Sequence, residues 1–257
     1  MTKVRRRAYA SAPIRAFDDH KKSMPLQTVE PRRLYRQIAD QISVLINDGE
    51  YTPGSRLPAE RDLAKQLGVS RPSVREALIA LEVEGMLDVR VGSGIYVTDP
   101  AKRRGGDAPQ TDSGPFEVIR ARRLIEGECA ALAARNADPA QIAAIREAHA
   151  SLIMESKRDH NPLAADRLFH MSIAEASGNS ALVLMVQTLW DQRMGPLYRS
   201  LELKLEYPKM ATETLREHRA IVSAIVQRDP RAARSAMRRH MDQTHKRYIK
   251  EWSTGKQ

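Results

Sequence analysis

The sequence predicts a mainly α-helical protein in two parts, a winged helix-turn-helix near the N-terminus followed by an antiparallel all-α bundle. Three observations carry this. Apolar residues recur at helical spacing over most of the chain, strand-like alternation is confined to residues 87–97, and a break rich in glycine, proline and charge separates the two parts.

Residues 1–27 lack periodicity and read as a mobile N-terminal tail with Arg5, Arg6 and Arg7 in it. Residues 28–99 read as the winged helix-turn-helix. A first helix over 32–47, with Leu34, Ile38, Ile42, Leu45 and Ile46 as its stripe, backs the reading pair, and Gly49 and Pro53-Gly54 punctuate the turn before the second helix. Leu63, Ala64 and Leu67 give that second helix an apolar side, and Gly68 ends it. Ser70 is placed to cap a third helix, whose Pro72 falls in the first turn where a missing N–H costs nothing. Val74, Leu78 and Leu81 turn inward, which leaves Arg71, Ser73 and Arg75 on the outer side of the first turn. Leu87, Val89 and Val91 alternate as a strand does, Gly92-Ser93-Gly94 makes the turn, and Ile95-Tyr96-Val97 returns.

In a helix-turn-helix it is the N-terminal end of the second helix of the pair that reaches base edges in the major groove. Double-stranded DNA is therefore the expected partner, with Arg61, Ser70, Arg71, Ser73 and Arg75, and the wing residues Gly92, Ser93 and Gly94, as its contacts. The plainer reading is a helical pair in some larger domain with solvated arginines; the ordered succession of short helix, glycine turn, basic first turn and glycine-tipped hairpin favours DNA.

The 257 residues allow one or two domains with proper cores, and 42% hydrophobic with 29% charged residues is the composition of a soluble globular protein. No window approaches the run of about 18 apolar residues that spans a membrane, and the basic N-terminus has no apolar block behind it, as a secretory signal would. The single cysteine, Cys129, excludes an intramolecular disulfide, fits a reducing cytoplasm, and is expected as buried filler. A net charge of +10 suits a polyanion, yet residues 1–100 hold 16 basic and 13 acidic side chains, so DNA binding rests on placed arginines rather than on bulk charge.

Residues 100–114 read as an interdomain linker, 115–252 as an all-helical domain, and 253–257 as a C-terminal tail. Six helices are expected, over 116–135, 139–157, 162–177, 180–194, 208–228 and 230–252. Asp166 and His170 stand four apart and share a helix face, while His218 and His240 lie in the last two helices. A carboxylate with three imidazoles suits a divalent ion, zinc above all, with nickel and manganese as alternatives. Spacing alone equally allows a local Asp–His hydrogen bond and unconnected histidines. Arg122 stands one turn before Glu126, so the two can pair along their own helix, and Trp190 reads as core. His149, His160 and His245 read as surface residues, and His20 lies in the tail.

The run from Gly54 through Arg61, the run from Val69 to Leu78 and the glycine wing closely resemble the winged helix of the GntR family of bacterial transcription regulators. The second part resembles the effector domain of its FadR-type branch, the FCD domain. The matching residues are Arg122-x-x-x-Glu126, Asp166-x-x-x-His170 with Ala174, Gly178-Asn179, His218-x-x-Ile221, Asp229-Pro230, Ala236-Met237 and His240. The resemblance implies that this part is an effector-binding and dimerisation domain, with a metal held by Asp166, His170, His218 and His240 beside a small carboxylate effector, Arg122 and Arg193 facing the effector, and Trp190 either lining the same cavity or part of the core. It further implies a homodimer on a palindromic operator. Leu81-Glu82-Val83-Glu84-Gly85, Gly92-Ser93-Gly94-Ile95 and Gly114-Pro115-Phe116-Glu117-Val118 are similar to hexuronate-responsive members in particular, which points to a sugar acid. The competing reading is a metal-dependent enzyme fused to a DNA-binding head. An enzyme needs an assignable general base or nucleophile, and the sequence offers no catalytic residue, so a regulator is expected.

Overall fold

A computed structural model of the chain describes residues 33–90, 92–102, 113–158, 162–203 and 207–254. The expected N-terminal tail, most of the expected linker, Val91, His20 and His160 lie outside the described residues.

The N-terminal module is built from α1 (Leu34–Asn47), α2 (Glu60–Leu67), α3 (Arg71–Val83) and a hairpin of β1 (Leu87–Arg90) with β2 (Gly94–Val97). In α1 the buried stripe is Tyr35, Ile38, Ala39, Ile42 and Ile46. Leu34 and Leu45, expected inside, are 47% and 41% exposed, because the buried side is centred one residue away and takes Tyr35 instead. Gly68 ends α2 with φ at +66°, the left-handed geometry that glycine adopts without strain. Ser70 Oγ accepts the Ser73 N–H at 3.3 Å and caps α3. The hairpin is antiparallel, with Leu87 opposite Val97 and Arg90 opposite Gly94. Gly94 has φ at +126°, and a Cβ there would lie 2.4 Å from Arg56 Nε, so the wing closes tightly on the strap before α2.

The second module contains α4 (Pro115–Asn136), α5 (Pro139–Ser156), α6 (Leu163–Ala176), α7 (Ser180–Gln192), α8 (Pro196–Glu202), α9 (Tyr207–Val226) and α10 (Pro230–Thr254). Short side chains set its starts: Asp138 and Gln141 form a reciprocal capping box, Asn179 Oδ1 accepts the Ala181 and Leu182 N–H groups, and Asp229 Oδ1 accepts those of Arg231 and Ala232. Its apolar centre joins Cys129, Ile145, Phe169, Ile173, Trp190, Ile221 and Met237. Among the described residues seven helices stand where the spacing predicts six, and α8 is the addition.

The two modules share a core. Tyr35, Leu78 and Ile79 belong to one buried cluster with Phe116, Leu197, Tyr198, Leu201, Tyr248 and Trp252. Helix α3, buried at every residue from Val74 to Leu81, is packed by α1 and α2 on one side and by α8 and the start of α4 on the other. Glu76 Oε1 accepts the Glu117 N–H at 3.0 Å, so a carboxylate of α3 caps the first helix of the bundle. Burial and the nearby Glu117 push the Glu76 carboxyl up to about 7. No described helix is long and apolar enough to cross a membrane.

Candidate functional site: a reading helix and a polar cavity

Arg71, in the first turn of α3, has a side chain 58% exposed, with Nε 3.0 Å from Glu60 Oε1. Ser70 and Ser73 bring their hydroxyls to 2.9 Å of each other beside it. Arg61 is 85% exposed at the start of α2, and Gly92 and Ser93 form the exposed tip of the wing, with Gly94 half-buried behind them.

Arg75 departs from expectation. The sequence pattern puts it on the free side of the helix, yet it is buried, its Nε and Nη2 bound to the two Glu60 carboxylate oxygens at 2.8 and 2.6 Å. One helical turn past Arg71 carries the side chain back under the start of α2, and the Phe116 ring closes over it with the guanidinium 5.4 Å from its centroid. Glu60 therefore holds both arginines.

In the bundle, a cavity of about 470 Å³ is lined by Arg122, Asp166, Arg193, Glu202, His240 and Tyr248, among others. Helix α6 supplies Asp166 and His170 from one face, α9 supplies His218 and α10 supplies His240. Their donor atoms converge: His218 Nε2 lies 3.1 Å from His240 Nε2, and Asp166 Oδ1 lies 3.6 Å from His170 Nε2 and 3.5 Å from His218 Nε2. The three histidines each offer a nitrogen within 4.8 Å of the others.

Carboxylates stand behind the ring. His170 Nδ1 pairs with Glu126, and His240 Nδ1 bonds Glu217 Oε2 at 2.8 Å, while Arg247 holds Glu217 with two bonds of 2.8 Å. A carboxylate on Nδ1 fixes the tautomer and turns the Nε2 lone pair inward, the arrangement of histidines that ligate metals. Burial, then the neighbouring His240, holds His218 well below its ordinary value, so its imidazole is neutral. Burial works to raise Asp166, but His170, His218 and Arg193 outweigh it and keep that carboxylate ionised far below the usual range. Glu126 and Glu217 are both lowered to about 2; in each, burial opposes and the basic neighbours win. Asp166 Oδ1 and His170 Nε2 are buried with no hydrogen-bond partner. The orphaned Asp166 oxygen, in a set of one carboxylate and three imidazoles, fits a divalent cation, whose charge would take the place of the proton that, against burial, Glu126 and Asp166 favour on His170.

Two guanidinium groups complete the wall. Arg122 lines the cavity; its Nε donates to Glu126 Oε1 at 2.6 Å, while its Nη2 is buried without a hydrogen-bond partner. Arg193 bonds Asp166 Oδ2 at 3.2 Å and Glu202 Oε1 at 2.7 Å. Both arginines stack on Trp190, 4.2 and 4.5 Å from its centroid, so that ring is at once core and cavity support. His149, expected on the surface, is buried against Phe169, and His245 is partly buried edge-on to Phe116. Cys129 is buried. Sequence reasoning missed Glu60, Glu202, Glu217 and Arg247, and it read Glu126 only as an ion-pair partner. Each acts across helices, where spacing carries no signal.

A winged helix whose reading helix is pressed onto a helical domain with an arginine-rich, metal-competent cavity defines a DNA-binding regulator that senses a small ligand. Residues 34–97 match the model of the bacterial regulatory proteins, gntR family, and residues 117–243 match that of the FCD domain. The chain is 37% identical over 225 residues to the Uxu operon transcriptional regulator of Escherichia coli K12, covering 85% of this chain and 88% of that one. It is 36% identical over 227 residues to the Exu regulon transcriptional regulator of the same strain, covering 85% and 86%. Against the Uxu operon regulator of Haemophilus influenzae identity is 34% over 220 residues, covering 82% and 80%. The chain belongs to the gntR family of bacterial regulatory proteins, with an FCD domain, and is a ligand-responsive transcription regulator rather than an enzyme.

Proposed function

We propose that this regulator works in the cytoplasm as a homodimer on a palindromic operator and is released from it by a sugar acid bound in the bundle cavity beside a divalent metal. The observation that carries the reading is the pairing of an unsatisfied, buried Arg122 Nη2 with the converging donors of Asp166, His170, His218 and His240 in one site. Those four residues would hold the ion, zinc first, with nickel or manganese also suited to the donor set. The ion would supply a fixed positive charge for an effector oxygen. Arg122 and Arg193 present planar forks suited to a carboxylate, and the tyrosines and threonines of the wall, Tyr207, Tyr248, Thr214 and Thr244, suit the hydroxyls of a sugar. Relatives named for the Uxu operon and the Exu regulon support this class of effector.

One wing module offers few base contacts, so two copies related by symmetry are needed for specificity. Leu124 on α4 and Leu184 and Met185 on α7 are 56%, 64% and 48% exposed, on two helices that pack side by side, which supports the bundle as the dimer interface. On DNA, Arg71, Ser70 and Ser73 contact the major groove, Arg61 the phosphate backbone and Gly92–Gly94 the groove beside it, with Arg75 fixing the helix behind them.

Calorimetry with D-galacturonate and D-glucuronate tests the cavity, using zinc-loaded protein, chelated protein and Arg122→Gln. At least one sugar acid is expected to bind the loaded protein, and both chelation and the substitution to weaken it at least about tenfold, the loss of one charge-assisted contact. No binding of either sugar acid, or equal binding in all three preparations, contradicts the reading.

A further inference from the structure

Helix α8 joins the cavity to the reading helix. Leu197, Tyr198 and Leu201 are buried in the core that the two modules share, and α8 packs directly on α3. Its last residue, Glu202, lines the cavity, as does Leu203 just beyond it. A single oxygen, Glu202 Oε1, accepts from Arg193 Nη2 at 2.7 Å and from the Tyr248 hydroxyl at 3.2 Å. The two partners of this ion pair are only 9% and 10% exposed.

We propose that Glu202 is an internal stand-in for the effector carboxylate: it occupies Arg193 when the cavity is empty of ligand, and the effector takes Arg193 from it and so frees α8 from the bundle. This rests on the reading of the cavity as the effector site.

The argument is one of charge. A buried guanidinium left unpaired is strongly destabilising, so Arg193 keeps a carboxylate partner in either state. Asp166 already occupies its Nη1, and Asp166 is also directed at the histidine cluster. A third anion added beside Asp166 and Glu202 would set like charges together in a low-dielectric site. Exchange avoids this: one carboxylate replaces another, and Arg193 stays neutralised throughout. The displaced Glu202 has somewhere to go, since it ends its helix and the next residue, Leu203, is 88% exposed. What changes is the tether. With Glu202 on Arg193 and Tyr248, α8 is pinned to α10 and to the turn after α7; released, it is free to shift against α3, which it helps to bury. An effector moves an equilibrium only by its differential affinity for two states, and this exchange makes the two states of α8 differ in affinity for a carboxylate.

The test compares the full-length parent, Glu202→Gln and Glu202→Asp, using an operator duplex selected by the parent from random-sequence DNA and D-galacturonate as the probe. Without any sugar acid, Glu202→Gln mimics the displaced state. It is expected to bind the duplex at least about fivefold more weakly than the parent, the lower bound of typical coupling, and to show faster amide exchange across residues 196–203. With the probe, the parent is expected to bind galacturonate at least about fivefold more weakly when the duplex is present. Glu202→Gln is expected to bind it more tightly than the parent and alike with and without duplex, while Glu202→Asp restores part of the difference. Tyr248→Phe, which removes one hydrogen bond from Glu202, is expected to shift in the same direction by less. Duplex affinity and exchange unchanged in both Glu202→Gln and Tyr248→Phe overturn the proposal, as does galacturonate coupling that survives both. Failure of the parent to bind galacturonate overturns the sugar-acid reading alone, because the ligand-free comparison still decides the role of Glu202.

Discussion

Glu60 divides two arginines that the sequence presents as equals. Both lie on the same side of α3, and both are bound to this one carboxylate, but Arg71 is open to solvent while Arg75 is enclosed beneath Phe116. An exposed ion pair contributes little to stability, and a buried one is costly to break from one side. Arg71→Ala is therefore expected to leave the melting temperature nearly unchanged and to weaken operator binding by about 1–3 kcal/mol. Arg75→Ala is expected to destabilise the fold by about 2–3 kcal/mol, since Glu60 keeps Arg71 but loses its buried partner. Denaturant unfolding beside operator binding separates the two. Equal loss of stability in both variants would contradict this division. Similar logic explains which site residues were legible. Asp166 and His170 announce themselves at i, i+4 on one helix. Glu217 and Glu202 have no such register, because the groups they hold, His240 and Arg193, stand on or beyond other helices.

Among the elements, α3 is legible from its ends and misleading along its length. Gly68, Ser70 and Pro72 act within a few residues of themselves, so their signals survive in the bare sequence. The inward stripe of Val74, Leu78 and Leu81 is visible too, but Ala77, Ile79, Ala80 and the polar Arg75 and Glu76 are buried as well, because the helix is packed on two sides. Helix α8 escapes because seven residues are too few for an apolar period, although Gly195-Pro196 is a fair helix start. The contact of α3 with α4 gives the docking its own pH dependence. Below about pH 4.5 the Glu76 carboxyl is neutral both folded and unfolded. Between about 4.5 and about 7 the unfolded chain loses the proton that the folded chain keeps, so stability falls as pH rises through that window and is lowest above it. The facing charges are Glu117, which adds to the rise, and Arg120, which opposes it. Glu76→Gln is thus expected to unfold at higher urea than the parent at pH 8, by up to about 3 kcal/mol, and at the same urea near pH 4.5. A difference that does not vary with pH would contradict the buried, proton-holding carboxyl.

Across the whole molecule, the DNA-reading module and the bundle share one core. The sequence break after Val97 marks a linker between two domains, and the structure gives those domains one core that contains α3, α4, α8 and the end of α10. A break in composition marks where the chain leaves one module; it is silent about whether the modules then dock, since docking depends on faces far apart in sequence. The shared core gives the cavity a physical route to the DNA-reading helix, and on the proposed reading an ion held by His170, His218 and His240 would tie α6, α9 and α10 together and make that route metal-dependent. The most direct test is operator binding by the full-length protein in three states: chelated, zinc-loaded, and zinc-loaded with D-galacturonate. The account predicts that galacturonate weakens operator binding at least about fivefold in the zinc-loaded protein and has no effect on the chelated one; an operator affinity that is the same in all three states would contradict it.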